Sequence, residues 1–433
     1  MTADSIAIDI HDLTHDGKGV ADIDGRRIFV AGALPAERVL IAPRRRRRRY
    51  QEAELLSVVD PADARVEAGC EYFGRCGGCA IQHMNYDAQL AFKQDVVAQA
   101  FTRIAGVEPE VWLDPVPSKQ WNYRRRARLG VRYVAGKQRV LVGFRERAAA
   151  YVTDMTHCPV LAAPLSGVLG ELADVIGASS LKSRLPQVEV SVGEQSAAII
   201  LRVLDSPTES DVQAFRAFGE RHTLDVYLQP GGPGTVHAIT DDPRTLSYSL
   251  ADFDIQLQFA PTDFLQVNAD INARIIATVI ETAELESTDR VLDLFCGLGN
   301  FSLPIARNVQ SVLGVEGEGG LVARAAKNAQ LNAIENARFV TADLSQPDWA
   351  FLRDEWDVVI LDPPRTGAEA VVEQMAKMAP RRILYVSCHP ATLARDAKVL
   401  YETQAYRARS AQIFDMFPHT HHVEVVTMFE RQP

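Results

Sequence analysis

The stretch that decides the fold is Val291-Leu-Asp-Leu-Phe-Cys-Gly-Leu-Gly-Asn300. The apolar run into Phe295 predicts a strand, Gly297-x-Gly299 a tight turn, and the residues that follow a helix. Glycines at such a turn let the backbone approach a ligand closely. Position 302 is Ser, so the third glycine of a dinucleotide-binding turn is missing. Outward from residue 268, helical patterns alternate with buried strands. A helix over Ile271–Leu285 leads into the strand Arg290–Phe295, and further strands are expected at Val312–Glu316, Val358–Leu361 and Ile383–Val386. That alternation predicts an α/β, Rossmann-like, doubly wound and mostly parallel sheet.

Acids follow at strand ends. Glu316 closes the strand after Gly297, where a ribose-binding carboxylate belongs, and Asp343 closes Phe339-Val-Thr-Ala-Asp343. Each alone is an ordinary strand-end cap; the ordered set, with Asp293 inside the first strand, is similar to the opening motifs of S-adenosylmethionine (SAM) methyltransferases. Leu361-Asp-Pro-Pro-Arg365 has the Asp-Pro-Pro core found in enzymes that methylate exocyclic amines of bases. Arg365 stands where those enzymes place an aromatic residue to stack the base, which weakens the amine reading. Two prolines after a strand also suit a rigid turn.

Tyr385-Val-Ser-Cys388-His-Pro390 puts a thiol at the end of a strand and before a helix started by proline. A lone Cys is usually packing. A helix N-terminus, however, lowers a thiol pKa, and strand ends hold the ligands of doubly wound sheets. One chemistry needs such a thiol. C5 of uracil is too weak a nucleophile to take a methyl group directly. Addition of a thiolate to C6 makes C5 enolate-like, after which a base removes the C5 proton and the thiolate leaves. Met416-Phe-Pro-His-Thr-His-His-Val-Glu424 supplies carboxylate and imidazoles, and Glu424 is the preferred base.

Cys70, Cys76 and Cys79, with the distant Cys158 before Pro159, form a four-thiol set. Zinc sites more often pair two Cys-x-x-Cys knuckles, so a [4Fe–4S] cluster is favoured over zinc on spacing. A helix is expected from Asp87 to Ile104, with Leu90, Val97, Phe101 and Ile104 on its buried face and Gly106 stopping it. Residues 1–60 carry short strands separated by Asp16-Gly17 and Asp24-Gly25, the pattern of an OB-like barrel. Six consecutive arginines, 44–49, are placed in the loop before its last strand.

The whole chain of 433 residues has a net charge of −10. Yet residues 117–147 hold ten Lys/Arg against a single acid, Glu146, in an expected hairpin interleaved with Trp121, Tyr123, Tyr133 and Phe144. An acidic body with two concentrated basic surfaces points to a polyanion. Hydrophobic content of 47% excludes a disordered chain. The sequence lacks a signal-type leader and an apolar run of membrane length, so a cytoplasmic address is expected. A monomer without an obligate protein partner is the default.

Together these residues resemble the RNA uracil-C5 methyltransferases, and within them the 23S rRNA enzymes of the RlmD subfamily. His15-Asp-Gly-Lys-Gly19, Phe29-Val-Ala-Gly-Ala-Leu-Pro35 and Glu37 are similar to a TRAM domain, an RNA-binding OB-like barrel. The resemblance implies domains at 1–61 (TRAM), 62–262 (α+β, with cysteine cluster and basic hairpin) and 263–433 (methyltransferase). It implies a [4Fe–4S] cluster on Cys70, Cys76, Cys79 and Cys158. It implies SAM contacts at Gln266, Phe295, Asn300, Glu316, Asp343 and Asp362, a Cys388 nucleophile, a Glu424 base, and 23S rRNA as substrate. The family's tRNA enzyme lacks both barrel and cysteine cluster and is disfavoured; a sister 23S rRNA enzyme has the cluster but no N-terminal barrel, so residues 1–60 favour the RlmD subfamily. Ala36, His389 and His421 depart from the family's Gly, Asn and Gly. Two other readings remain at this level: amine methylation through Asp362-Pro-Pro, and a non-catalytic iron–sulfur RNA-binding assembly factor.

Overall fold

A computed structural model describes residues 5–46, 48–347, 349–403 and 405–432. The N-terminal unit is a curled sheet of β1 (Ile6–Asp9), β2 (Asp12–Leu13), β3 (Lys18–Ile23), β4 (Arg26–Ala31), β5 (Arg38–Arg46) and β6 (Tyr50–Asp60), in the order β1-β5-β6-β4-β3-β2. Alternate residues point inward and close a small core of Ile8, Ile10, Ile28, Val30, Val39 and Ile41. Buried Glu37 ties this unit to the following segment. Its carboxylate accepts from the Leu34 N–H at 2.7 Å and from Arg65 Nη2 at 2.8 Å. Arg44 to Arg46 lie within β5, not in the loop where the arginine tract was placed. Pairing of β5 with β6 runs to Arg46–Gln51, because backbone hydrogen bonds extend the ribbon beyond its apolar part. Arg47 lies outside the described residues.

Next come α1 (Tyr86–Ala100), β7 (Val111–Trp112), β8 (Arg126–Val134), β9 (Arg139–Gly143), α2 (Leu169–Ala178), β10 (Gln187–Val192), β11 (Ala197–Arg202), α3 (Glu209–His222), β12 (Leu224–Gln229), β13 (His237–Ala238), β14 (Leu246–Leu250) and β15 (Ile255–Phe259). The basic hairpin is β8–β9, at the edge of a sheet ordered β13-β12-β11-β10-β8-β9. Helix α1 starts at an Asn85 cap, passes into one π-type turn over Phe101–Ala105, and ends at Gly106 with φ +70°. Its buried face is the expected one in part. Val97 and Phe101 are fully buried, Leu90 is half-buried and Ile104 is exposed, while Gln89, Phe92 and Lys93 also face inward. Lys93 finds a buried carboxylate, so a polar pair joins the apolar face.

The C-terminal half contains α4 (Ala269–Ala283), β16 (Arg290–Leu294), α5 (Ser302–Ala306), β17 (Ser311–Glu316), α6 (Gly319–Leu331), β18 (Ala337–Thr341), β19 (Val358–Leu361), α7 (Glu369–Val372), α8 (Met375–Met378), β20 (Arg382–Ser387), α9 (Pro390–Glu402), β21 (Tyr406–Phe414) and β22 (Glu424–Arg431). The sheet order is β18-β17-β16-β19-β20-β22-β21-β7. The first five strands are parallel and β22 runs antiparallel to both neighbours. Central strands read as continuous apolar runs because helices cover both faces; Val291, Leu292, Val358 to Leu361 and Ile383 to Val386 are wholly buried. Each such side chain contributes roughly 1.5–3 kcal/mol. Strand order reverses between β16 and β19, the switch point at which these sheets open a ligand crevice. β7, from the N-terminal half, completes the sheet alongside β21. Val97 and Phe101 share a core with Leu292, Val359 and Leu393, so residues 86–112 pack with the C-terminal sheet rather than with the basic hairpin. Among the described residues, no helix is long and apolar enough to cross a membrane.

Candidate active site

The expected site residues collect along one edge of this sheet. Glu316 ends β17, Phe295 follows β16, Asp362 follows β19 and Cys388 follows β20, while Asp343 lies just beyond β18. Glu424 joins them from the other direction. Ser387 pairs with Val425 across the antiparallel β20–β22 ladder, and one further step of that register sets Cys388 opposite Glu424. Directly opposed residues lie about 5 Å apart. The pleat thus brings together a thiol and a carboxyl that are remote from each other in sequence.

The turn after β16 is built for close approach. Phe295 adopts φ +66°, a conformation costing about 1–3 kcal/mol for a non-glycine residue, and the N–H groups of Phe295 and Cys296 both donate to the Val315 carbonyl. Gly297 has φ +56°, and a Cβ there would meet nothing within 4 Å. Its N–H donates to Glu316 Oε2 at 3.2 Å, and the Glu318 N–H to Oε1 at 3.0 Å. Phe295, Glu316, Asp343, Pro364, Thr366 and Arg395 line a cleft of about 670 Å³. Asn300 does not line it. Its Oδ1 accepts from Tyr248 at 2.8 Å and from Asn272 at 3.0 Å, fastening the turn to β14 and α4. Gln266 donates to Asp362 Oδ2 at 3.3 Å, beside the cleft rather than in its wall.

A second cleft, of about 840 Å³, opens on the opposite side of the Asp-Pro-Pro-Arg segment. Pro364 faces the first cleft and Arg365 the second. Its walls include Cys388, His389, His421 and His422 from the sheet edge, Phe92 and Arg103 from α1, and His15, Arg27 and Phe29 from the N-terminal sheet. Thiol and N-terminal unit therefore face each other across one groove.

Electrostatics at the sheet edge run against the expected thiolate. Burial, then the nearby Glu424 and Asp362, push the Cys388 thiol up to about 11, beside the helix that begins at Pro390. Burial also lifts Asp362 to about 7 and Glu424 well above the carboxylate range. Burial is the common and largest cause, with Asp362 adding to it at Glu424 and both carboxyls at Cys388, and it favours the neutral forms. Asp293 is likewise raised to about 7 by burial; it accepts from the Ser302 hydroxyl at 2.5 Å and braces the turn from beneath.

Cys70, Cys76, Cys79 and Cys158 line one small cavity with Phe73, Phe144 and Met155. Burial lifts Cys79 to about 12 and Cys158 to about 11. Among the described residues, no group of three or more His, Cys, Asp or Glu side chains is arranged to hold a metal ion.

The basic stretch is less free than its composition implies. Arg125 is 5% exposed, with its guanidinium 4.5 Å from the Tyr248 ring and its Nε donating to the Gln266 carbonyl at 2.8 Å. Arg126 and Arg128 pair with Glu189, and Lys137 and Arg139 with Asp154. Of these only Arg126 is largely covered; Arg128, Lys137 and Arg139 stay exposed at the surface, as do Arg132 and Arg145. Sequence reasoning missed both the bracing role of Arg125 and the buried Lys93, since a run of arginines carries no mark of which one turns inward.

Comparison with known proteins places this geometry. The family model described as tRNA (Uracil-5-)-methyltransferase matches residues 85–432. A protein of Nitrosococcus oceani named 23S rRNA (uracil(1939)-C(5))-methyltransferase RlmD is 46% identical over 98% of this chain and 95% of its own. Its namesake from Methylococcus capsulatus is 45% identical over 100% and 98%. Among solved structures, the Pyrococcus abyssi tRNA (uracil-54, C5)-methyltransferase in complex with S-adenosyl-L-homocysteine is 24% identical, with a TM-score of 0.76 over 98% of this chain and 99% of that one. That likeness shows a shared fold.

Proposed function

The chain belongs to the tRNA (uracil-5-)-methyltransferase family, and from that we propose that it is a SAM-dependent methyltransferase forming 5-methyluridine in 23S rRNA, at the position equivalent to that named for its relatives. The observation that carries the chemistry is the β20–β22 register, which sets Cys388, in the wall of the larger cleft, against Glu424. The cleft lined by Phe295 and Glu316 takes SAM. Glu316 binds ribose hydroxyls, Asp343 lies by the adenine, Phe295 packs on the nucleoside, and Gln266 with Asp362 faces the amino acid end. Asn300 acts by holding the turn. SAM supplies the methyl group as an electrophile.

Target uridine enters the larger cleft, beside Cys388, extruded from its stack, since C6 is unreachable within one. Cys388 gives its proton to solvent water and its sulfur forms a bond to C6; the C5–C6 double bond opens toward the O4 carbonyl. C5 then takes the methyl group, leaving S-adenosylhomocysteine. Glu424, in its carboxylate form, removes the C5 proton. The double bond re-forms and the C6–S bond breaks. The N-terminal unit, as a TRAM-type barrel, holds rRNA with the arginine ribbon and the exposed part of the basic hairpin. Amine methylation finds no support here, because Arg365 rather than an aromatic ring follows Asp362-Pro-Pro and the thiol would be idle.

Cys70, Cys76, Cys79 and Cys158 are the residues that would hold a [4Fe–4S] cluster. Their four thiols line one small cavity, and the spacing of three close cysteines with a distant one before proline is what favours a cluster over zinc. We place the protein in the cytoplasm with its ribosomal substrate.

The test is 23S rRNA transcribed with 5-fluorouridine, incubated with SAM and either wild type or Cys388→Ala. Fluorine cannot leave as a proton, so the thioether adduct persists and shifts on a denaturing gel. A shift confined to wild type is expected. No shift with SAM binding intact would overturn the reading, and a shift with tRNA instead would move the substrate.

A further inference from the structure

The segment from Asp415 to Val423 joins β21 to β22 and delivers the chain to Glu424. Three successive carbonyls in it are each held by a donor from a different part of the protein. Lys93 Nζ in α1 donates to the Phe417 carbonyl at 3.0 Å. The Tyr123 hydroxyl, just before the basic hairpin, donates to the Pro418 carbonyl at 3.0 Å. The N–H groups of Ala80 and Ile81, directly after Cys79, donate to the His419 carbonyl at 2.8 and 3.0 Å. In return the His419 N–H donates to Gln89 Oε1 at 3.0 Å. His419 itself has φ +68°, with its ring 4.2 Å from that of Trp121. At the start of the segment, Asp415 accepts from Lys93 Nζ at 2.5 Å and from the Tyr86 hydroxyl at 2.8 Å.

Both members of the Lys93–Asp415 pair have fully buried side chains. Taking two charges out of water costs several kcal/mol per ion, and an apolar pair of similar volume often stabilises a fold as well or better. The pair is therefore hard to explain as a stability device. What it does is geometric: with Tyr123, Gln89 and the two amides it leaves the segment one course into β22. We propose that Lys93, Asp415, Gln89 and Tyr123 are positioning residues that hold Glu424 against the C5 proton of the substrate, and that the cysteine loop is a further anchor of the same segment through Ala80 and Ile81. The proposal rests on the reading of Glu424 as the base. Its chemical consequence is specific. A loosened segment leaves Cys388 and the cleft lined by Phe295 and Glu316 in place and shifts only His421 to Val423 in the wall of the larger cleft, so the covalent adduct still forms and is methylated, but its breakdown slows.

The experiment uses the cluster-containing protein, unmodified 23S rRNA and three variants: Tyr123→Phe, the double variant Lys93→Met with Asp415→Leu, and Glu424→Gln as reference. Turnover, KM for RNA, and the fraction of enzyme in a denaturant-resistant RNA adduct at steady state are measured. Iron content and melting temperature report the fold. Tyr123→Phe removes a single oxygen and is expected to lower kcat about tenfold, with KM within twofold and adduct raised severalfold; the double variant exceeds it. If kcat is unchanged in Tyr123→Phe, or falls without adduct while Glu424→Gln accumulates it, the proposal fails and the base assignment stands. If Glu424→Gln traps nothing, the base assignment fails and takes the proposal with it.

Discussion

The two clefts flank one segment, with Pro364 in the wall of one and Arg365 in the wall of the other, yet they are assembled in different ways. The cofactor-side cleft is drawn from consecutive strand ends of one sheet, Phe295, Glu316, Asp343 and Pro364, all within the C-terminal half of the chain. The substrate-side cleft combines His15 and Phe29, Phe92 and Arg103, and Cys388 to His422, which span nearly the whole chain. A nucleoside donor needs only what a single sheet edge presents. An RNA strand with an extruded base needs a wall on each side, and the walls come from separate units. The contrast teaches that donor binding is a local property of this chain and substrate choice a long-range one.

Four outcomes sharpen or break that contrast. The largest is the gel experiment on Cys388→Ala, where adduct formation is lost altogether. The next concerns pH. Because burial and neighbouring carboxyls raise the Cys388 thiol to about 11, the thiolate fraction of free enzyme rises about tenfold per unit below that value. The kcat/KM for RNA is expected to climb roughly a hundredfold between pH 6 and 8 without a plateau; a plateau at neutrality would mean that the helix terminus dominates after all. Third, Glu316→Ala is expected to weaken SAM binding about 10- to 100-fold by calorimetry, with RNA affinity within twofold. A parallel loss of RNA affinity would show that the clefts are not independent. Smallest is neutralisation of Arg44, Arg48 and Arg49 to Gln. RNA binding should weaken severalfold and its salt dependence flatten, while SAM binding stays constant. An unchanged salt slope would make the ribbon a solvated face.

How much of this was legible follows from the same contrast. The strand–turn–helix at Val291–Asn300 and the acids after it are short-range features, and the sheet reproduces them in place. The pairing of Cys388 with Glu424 was reached through chemistry, although the ladder that joins them could not be read from either motif alone. What stayed hidden was polar burial. Gln89, Lys93 and Arg125 look like solvent-facing residues on any hydrophobic scale, and only partners far along the chain, Asp415, His419 and Gln266, turn them inward. The raised thiol belongs to the same class: a helix start is visible in sequence, but the burial that raises the thiol is not.

One feature of the sheet bears on how the protein is made. β7 lies beside β21, and Phe101 packs in the core that contains Leu393 and Ile413. A ribosome adding about 5–20 residues per second completes α1 and β7 some 15–60 s before their partners exist. For that interval an apolar helix face, a buried-type lysine and a bare strand edge have nothing to rest on. The active site is then among the last parts of the molecule to close, and a nascent chain stalled before β22 presents to chaperones and proteases a protein whose donor cleft is largely built and whose catalytic edge is missing.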